Sequence, residues 1–167
     1  MPIRAAILTV SDKGAAGRRV DTAGPAVAVL LASIGAETVE TAILPDVRQD
    51  IAAQLQAWAD SSRIDLILTT GGTGLSPRDL TPEATLDVAE RLVPGIAELM
   101  RDSGRKSTHL SSLSRAVAVT RGHTLIINLP GSERGAHESL QSILELLPHA
   151  VELIRGETGE EHPVNQV

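Results

Sequence analysis

The segment that most restricts the fold is the apolar run at residues 65–70 (DLILTT), followed at once by Gly71-Gly72-Thr73-Gly74. A short apolar run without polar alternation suits a central strand of a parallel sheet, covered on both faces. The flanking sequence supplies the rest of such a sheet. Arg4–Val10 reads as a first buried strand and Glu37–Leu44 as a second, ending at Pro45-Asp46. Between them, Asp21-Thr22 opens a helical run over 23–34, with Pro25 in its first turn and Gly35 at its end. Residues 14–20 are a polar, glycine-containing loop. Residues 47–59 carry Ile51, Leu55 and Trp58 on one helical face.

Farther along, Thr81-Pro82-Glu83 predicts a helix start with Thr81 as cap and Pro82 in the first turn. Pro94-Gly95 begins another helix, reaching to about residue 107. Residues 116–120 and Thr124–Leu129 flank the turn Arg121-Gly122-His123 and read as a hairpin, hence one antiparallel element. Residues 133–155 read as a long helix, with Pro148 the place for a bend. Strands and helices alternating at this spacing predict a three-layer α/β/α sandwich with a mostly parallel mixed sheet. Residues 1–156 are expected to form a single domain and 157–167 a polar C-terminal tail.

Composition narrows the function. The chain has one Trp and no Tyr or Phe, so it lacks aromatic platforms for stacking bases, and its net charge of −6 is the reverse of a nucleic-acid footprint. With no cysteine, thiolate metal sites and disulfides are excluded, and the five histidines show no metal-binding spacing. No apolar stretch is long enough to span a bilayer, and no charged-then-apolar leader precedes Ile3, so a cytoplasmic location is expected.

In an open α/β sheet, ligands gather beyond the carboxyl ends of the strands. Four loops qualify: Ser11-Asp12, Pro45-Asp46, residues 71–79, and Pro130-Gly131-Ser132. The segment Gly71-Gly72-Thr73-Gly74 permits positive φ and close backbone approach, and its successive amides can form an anion-binding concavity. Thr69, Thr70 and Thr73 add hydroxyl donors. The segment matches neither the Walker nor the dinucleotide-binding pattern. Asp46 and Asp79 flank it. Two carboxylates beside a phosphate repel it unless Mg²⁺ joins them, which points to a nucleotide–Mg²⁺ site; an N-cap is the plainer role for each. Asp12 can bond loop amides or simply close an Asx turn. Asn128 can read a ring edge or brace a loop. Ser112, Ser114 and Arg115 form a hydroxyl-plus-guanidinium cluster suited to phosphate, or a solvated patch.

These segments occur in a recognisable order. Leu8-Thr9-Val10-Ser11-Asp12, Asp21-Thr22-Ala23-Gly24-Pro25, Leu44-Pro45-Asp46, Thr69 to Gly74, Arg78-Asp79-Leu80-Thr81-Pro82-Glu83-Ala84-Thr85, Leu113-Ser114-Arg115 and Ile127-Asn128-Leu129-Pro130-Gly131 resemble the MogA/MoaB family of molybdenum-cofactor biosynthesis, to which the gephyrin G domain is similar. The resemblance covers residues 3–155 and implies a homotrimer, hexameric in some MoaB members. It implies adenylylation of molybdopterin by Mg-ATP, giving adenylyl-molybdopterin and pyrophosphate before a MoeA-like enzyme inserts molybdate. Asp46 and Asp79 would hold Mg²⁺ and orient the triphosphate, and the 71–74 amides would cradle phosphate. Asp12 and Asn128 would border the nucleotide, and Ser112, Ser114 and Arg115 would face the pterin phosphate. Arg78-Asp79 resembles MogA more than the adenylylation-inactive type of MoaB; the alternative is a MoaB-like protein that binds molybdopterin without transfer. The resemblance leaves molybdenum and tungsten pathways open.

Overall fold

A computed structural model describes residues 1–157 of the chain. Its centre is a six-stranded sheet built from β1 (Arg4–Val10), β2 (Glu37–Leu44), β3 (Leu66–Thr70), β4 (Arg91–Leu92), β5 (Ala118–Arg121) and β6 (Thr124–Leu129), in the order β2-β1-β3-β6-β5-β4. The strands β2, β1, β3 and β6 run parallel. Strand β5 pairs antiparallel with β6 across the hairpin turn, and β4 pairs antiparallel with β5. The chain therefore leaves β1 for β2 on one side and crosses to β3 on the other, which opens a switch point between β1 and β3.

Alternate side chains along each central strand serve opposite faces. Ile7, Leu66, Leu68, Leu125 and Ile127 join the core beneath α2 (Ala23–Ala32), α5 (Pro94–Arg105), α6 (Glu133–Ile143) and α7 (Leu147–Arg155). Ala6, Leu8, Ile67 and Ile126 join the other core, beneath α3 (Arg48–Asp60) and α4 (Thr81–Val88). The three-layer α/β/α arrangement and the mixed sheet are as the sequence predicts. The burial of β3 along its whole length explains why its sequence carries no alternation.

Several local expectations are revised. Residues Asp12–Ala15 form a single helical turn, α1, capped by the Ser11 hydroxyl, which accepts from the Gly14 amide at 3.0 Å. The long helix foreseen at 133–155 is two helices joined by a tighter turn at Leu144–Leu146, with Pro148 in the first turn of the second. Pro148 lacks the N–H that a continuous helix needs, so it starts a helix instead of bending one. Thr81 does not cap α4: no side chain caps that helix, and the Thr81 hydroxyl is buried without a hydrogen-bond partner. The segment foreseen as a polar tail lies, from residue 158 onward, outside the described residues. No helix among the described residues is long and apolar enough to cross a membrane.

Candidate functional site

The carboxyl ends of β1, β2, β3 and β6 lie on one rim, because these strands are parallel. The loops leaving them enclose a cleft of about 470 Å³ at the β1/β3 switch point. Glycine is required where two of these loops meet. Gly71 has φ +94°, and a Cβ there would strike the Val10 carbonyl. A Cβ on Gly131 would stand 3.1 Å from the Gly71 Cα, so the loops after β3 and β6 touch backbone to backbone. Gly72 has φ +67°, and a Cβ there would overlap the Thr81 hydroxyl and stand 3.2 Å from Asp46 Oδ1. Among the described residues, the amides of Gly72, Thr73 and Gly74 have no hydrogen-bond acceptor. Backbone donors left free in a glycine turn suit an anion.

Of the residues singled out from the sequence, Ser11, Asp12, Asp46, Gly71, Gly72, Asp79 and Gly131 line the cleft together. Thr70, Thr73, Gly74, Ser112, Ser114, Arg115, Asn128 and Pro130 do not line it. Thr70 is buried at the end of β3, where its hydroxyl donates to Thr9 at 3.4 Å, and Thr9 in turn donates to Asp21 at 2.7 Å. Asn128 is wholly buried, with every directed bond made within the protein. Its amide nitrogen donates to the Thr69 and Thr85 hydroxyls at 3.1 and 2.9 Å, and its oxygen accepts from the Val117 amide at 3.2 Å. Ser112 is exposed and Ser114 half-buried, within and after the short helical turn His109–Leu113. The Arg115 guanidinium donates to the carbonyls of Gly74 at 2.8 Å and Asp79 at 2.6 Å, and pairs with Glu83. That pairing holds the Glu83 carboxyl below its ordinary range. Arg115 thus grips the loop that carries Asp79 from behind.

The two carboxylates read as metal ligands differ in setting. Asp46 accepts the Asp12 amide on Oδ2 at 3.1 Å, leaving Oδ1 toward Gly72. Burial pushes the Asp46 carboxyl above its ordinary range, and the charges of Asp12 and Asp79 push the same way. Asp79 accepts the Ser76 amide at 3.0 Å within a tight turn. Both are hard oxygen donors on one cleft, and each keeps one carboxylate oxygen without a partner among the described hydrogen bonds. A site of one or two carboxylates that leaves room for water and phosphate oxygens is what Mg²⁺ takes. The Thr81 hydroxyl, buried and without a hydrogen-bond partner, lies at the same corner, beside Gly72 and Asp46.

Some cleft residues escaped the sequence reading. Asp21 lines the cleft and accepts from the Gly24 amide at 3.0 Å, so it both caps α2 and presents a carboxylate. Lys13 and Arg19 also line it, together with Ser132 from the candidate loop after β6. Arg78 pairs bidentately with Asp12, at 2.7 Å at the closest. Nothing local in the sequence distinguishes Asp21 as a cap from Asp21 as a cleft residue, or shows Arg78 a partner 66 positions away.

Comparison with known proteins places the chain among relatives. A family model described as "Probable molybdopterin binding domain" matches residues 6–149. The chain is 37% identical over 156 residues to a molybdopterin adenylyltransferase of Helicobacter pylori, covering 92% of this chain and 89% of that protein. It is 42% identical over 149 residues to the molybdenum cofactor synthesis protein cinnamon of Drosophila melanogaster, covering 89% of this chain but only 25% of that longer protein. The crystal structure of the molybdopterin biosynthesis enzyme MoaB from Thermus thermophilus superposes with a TM-score of 0.88 at 52% identity, covering 92% of this chain and 97% of that one. On the family match over residues 6–149 and these similarities, the chain belongs to the molybdopterin-binding domain family of molybdenum cofactor biosynthesis.

Proposed function

We propose that the cleft adenylylates molybdopterin: a terminal phosphate oxygen of the pterin attacks the α-phosphorus of ATP, the bond to the β-phosphate oxygen breaks, and pyrophosphate leaves. The observation that carries this reading is the placement of Asp46 and Asp79 on one cleft with Gly72, the first of three successive unpartnered amides at residues 72–74. A protein that only carried a pterin would need no carboxylate pair, because bare carboxylates repel a phosphate. Asp46 and Asp79 would hold Mg²⁺. When bound there, Mg²⁺ supplies charge neutralisation for the triphosphate and the departing pyrophosphate. The amides of residues 72–74 donate to phosphate oxygens, and Arg115 keeps that loop in place from outside the cleft. No covalent nucleophile on the protein is required, because such transfers depend on positioning and charge neutralisation. The name carried by the Helicobacter relative supports the same activity.

Incubation of the purified protein with molybdopterin, ATP and Mg²⁺ tests the reading. The expected product is pyrophosphate, dependent on the pterin. Phosphate or AMP released without pterin would instead identify a nucleotide hydrolase. A second reading, pterin binding without transfer, draws support from the similarity to a MoaB structure; it predicts intact pterin binding and no pyrophosphate above background. The reading extends to a cytoplasmic homotrimer that hands its product to a molybdate-inserting enzyme of the MoeA kind. Exposed Leu110 and Leu113 beside Arg115 are consistent with a surface covered by another copy.

A further inference from the structure

Asp12 stands between the loops that carry the two carboxylates, and its hydrogen bonds run to both. Its amide donates to Asp46 Oδ2 at 3.1 Å, and the Asp46 amide donates back to Asp12 Oδ1 at 3.0 Å. This reciprocal pair fixes the Asp46 carboxylate so that Oδ1 is the oxygen left over. Asp12 also receives Arg78: Nε donates to Oδ2 at 3.0 Å, and one terminal nitrogen lies 2.7 Å from each oxygen. Arg78 is the residue before Asp79. One continuous path therefore ties the loops after β1, β2 and β3 together, from Asp79 through Arg78 and Asp12 to Asp46.

The Arg78 and Asp12 side chains are 61% and 40% exposed. Ion pairs so open to water contribute little to stability. Bidentate geometry, by contrast, fixes direction and spacing. The Asp12 oxygens are already engaged by Arg78 and the Asp46 amide, so Asp12 has little left to offer a ligand although it lines the cleft.

We propose that Asp12 and Arg78 are positioning residues: they set the orientation and separation of the Asp46 and Asp79 carboxylates for a divalent cation, and they touch neither nucleotide nor pterin. The proposal rests on the reading that Asp46 and Asp79 hold Mg²⁺. It places Asp12 behind the site instead of along the nucleotide, where the family resemblance would put it.

The test uses Mn²⁺ as the probe, its binding to the full chain followed by electron paramagnetic resonance. ATP affinity is measured separately in EDTA by calorimetry, and melting is followed by circular dichroism. Partners that orient metal ligands are worth about 10-fold to 100-fold in metal affinity. Asp12→Ala and Arg78→Ala should each weaken Mn²⁺ binding to that extent, with metal-free ATP affinity and melting temperature nearly unchanged. Arg78→Lys, which keeps the charge but not the fork, should fall between wild type and Arg78→Ala. Asp12→Asn, which keeps an acceptor for the Asp46 amide, should be milder than Asp12→Ala. Unchanged Mn²⁺ affinity in both alanine variants overturns the proposal, as does loss of metal-free ATP binding, which would make either residue a substrate contact. Wild-type Mn²⁺ binding that Asp46→Asn and Asp79→Asn leave intact would instead remove the metal from these carboxylates, and the proposal with it.

Discussion

Gly72 and Thr81 are fitted to each other: the Gly72 carbonyl accepts the Thr81 amide at 3.1 Å, and the missing Gly72 side chain is the space the Thr81 hydroxyl fills. Gly72→Ala would place a side chain at φ +67° and against that hydroxyl. The expected cost is about 2 kcal/mol or more, accompanied by loss of turnover as the loop is pushed off its course. Thr81→Val should act in the opposite direction. It removes a buried hydroxyl that has no partner and keeps the shape, so unfolding in urea should show a gain of about 1 kcal/mol. A loss of stability on Thr81→Val would mean that the hydroxyl is satisfied in solution.

Asn128 should behave as a brace of the sheet. Replacing it with Leu would strand the Val117 amide and remove two bonds to threonine hydroxyls. The predicted loss is about 2 kcal/mol in denaturant unfolding. Titration of the folded variant with ATP should give a dissociation constant close to that of wild type. A large drop in ATP affinity with stability unchanged would place Asn128 at the nucleotide instead.

Much of this architecture was legible in the chain, and the parts that were not have identifiable physical causes. The unalternating β3, apolar at Leu66-Ile67-Leu68 and ending in two threonines, and the glycines after it mark a buried parallel strand and its loop. Arg121-Gly122-His123 marks the hairpin in the same way. The elements missed are too short to show a period: the single turns at Asp12–Ala15 and His109–Leu113 and the two-residue strand Arg91–Leu92. The cleft itself was readable as a set of loops, because parallel strands put their ends on one rim. The bonds inside it were not. Arg78 meets Asp12 from 66 positions away, and Arg115 meets Glu83 from 32, so no local pattern records either pair.

The pair of buried Asp65 with half-buried Arg155 gives the fold a definite acid sensitivity. Arg155 lies 2.7 Å from Asp65, and the Arg4 amide donates to the same carboxylate at 2.8 Å. Burial alone would raise the Asp65 pKa, but the bonds from Arg155 and Arg4 outweigh it and hold the carboxyl below its ordinary range. A lowered folded pKa contributes stability that is present above the unfolded value and lost as pH falls through the folded one. Asp65→Ala should therefore cost about 3 kcal/mol at neutral pH, and the gap from wild type should begin to close only as the pH falls below the ordinary Asp value of about 3.9. A gap that stays constant across that range would show that packing, not charge, is the contribution of Asp65.

The most direct test of the central claim, that Asp46 and Asp79 serve phosphate chemistry and not pterin capture, is to measure Asp79→Ala for both pyrophosphate release and molybdopterin affinity. Turnover should fall by about 100-fold or more, with pterin affinity near that of wild type. Equal loss of both would contradict it, making Asp79 part of the scaffold and leaving the carboxylate pair without a catalytic role.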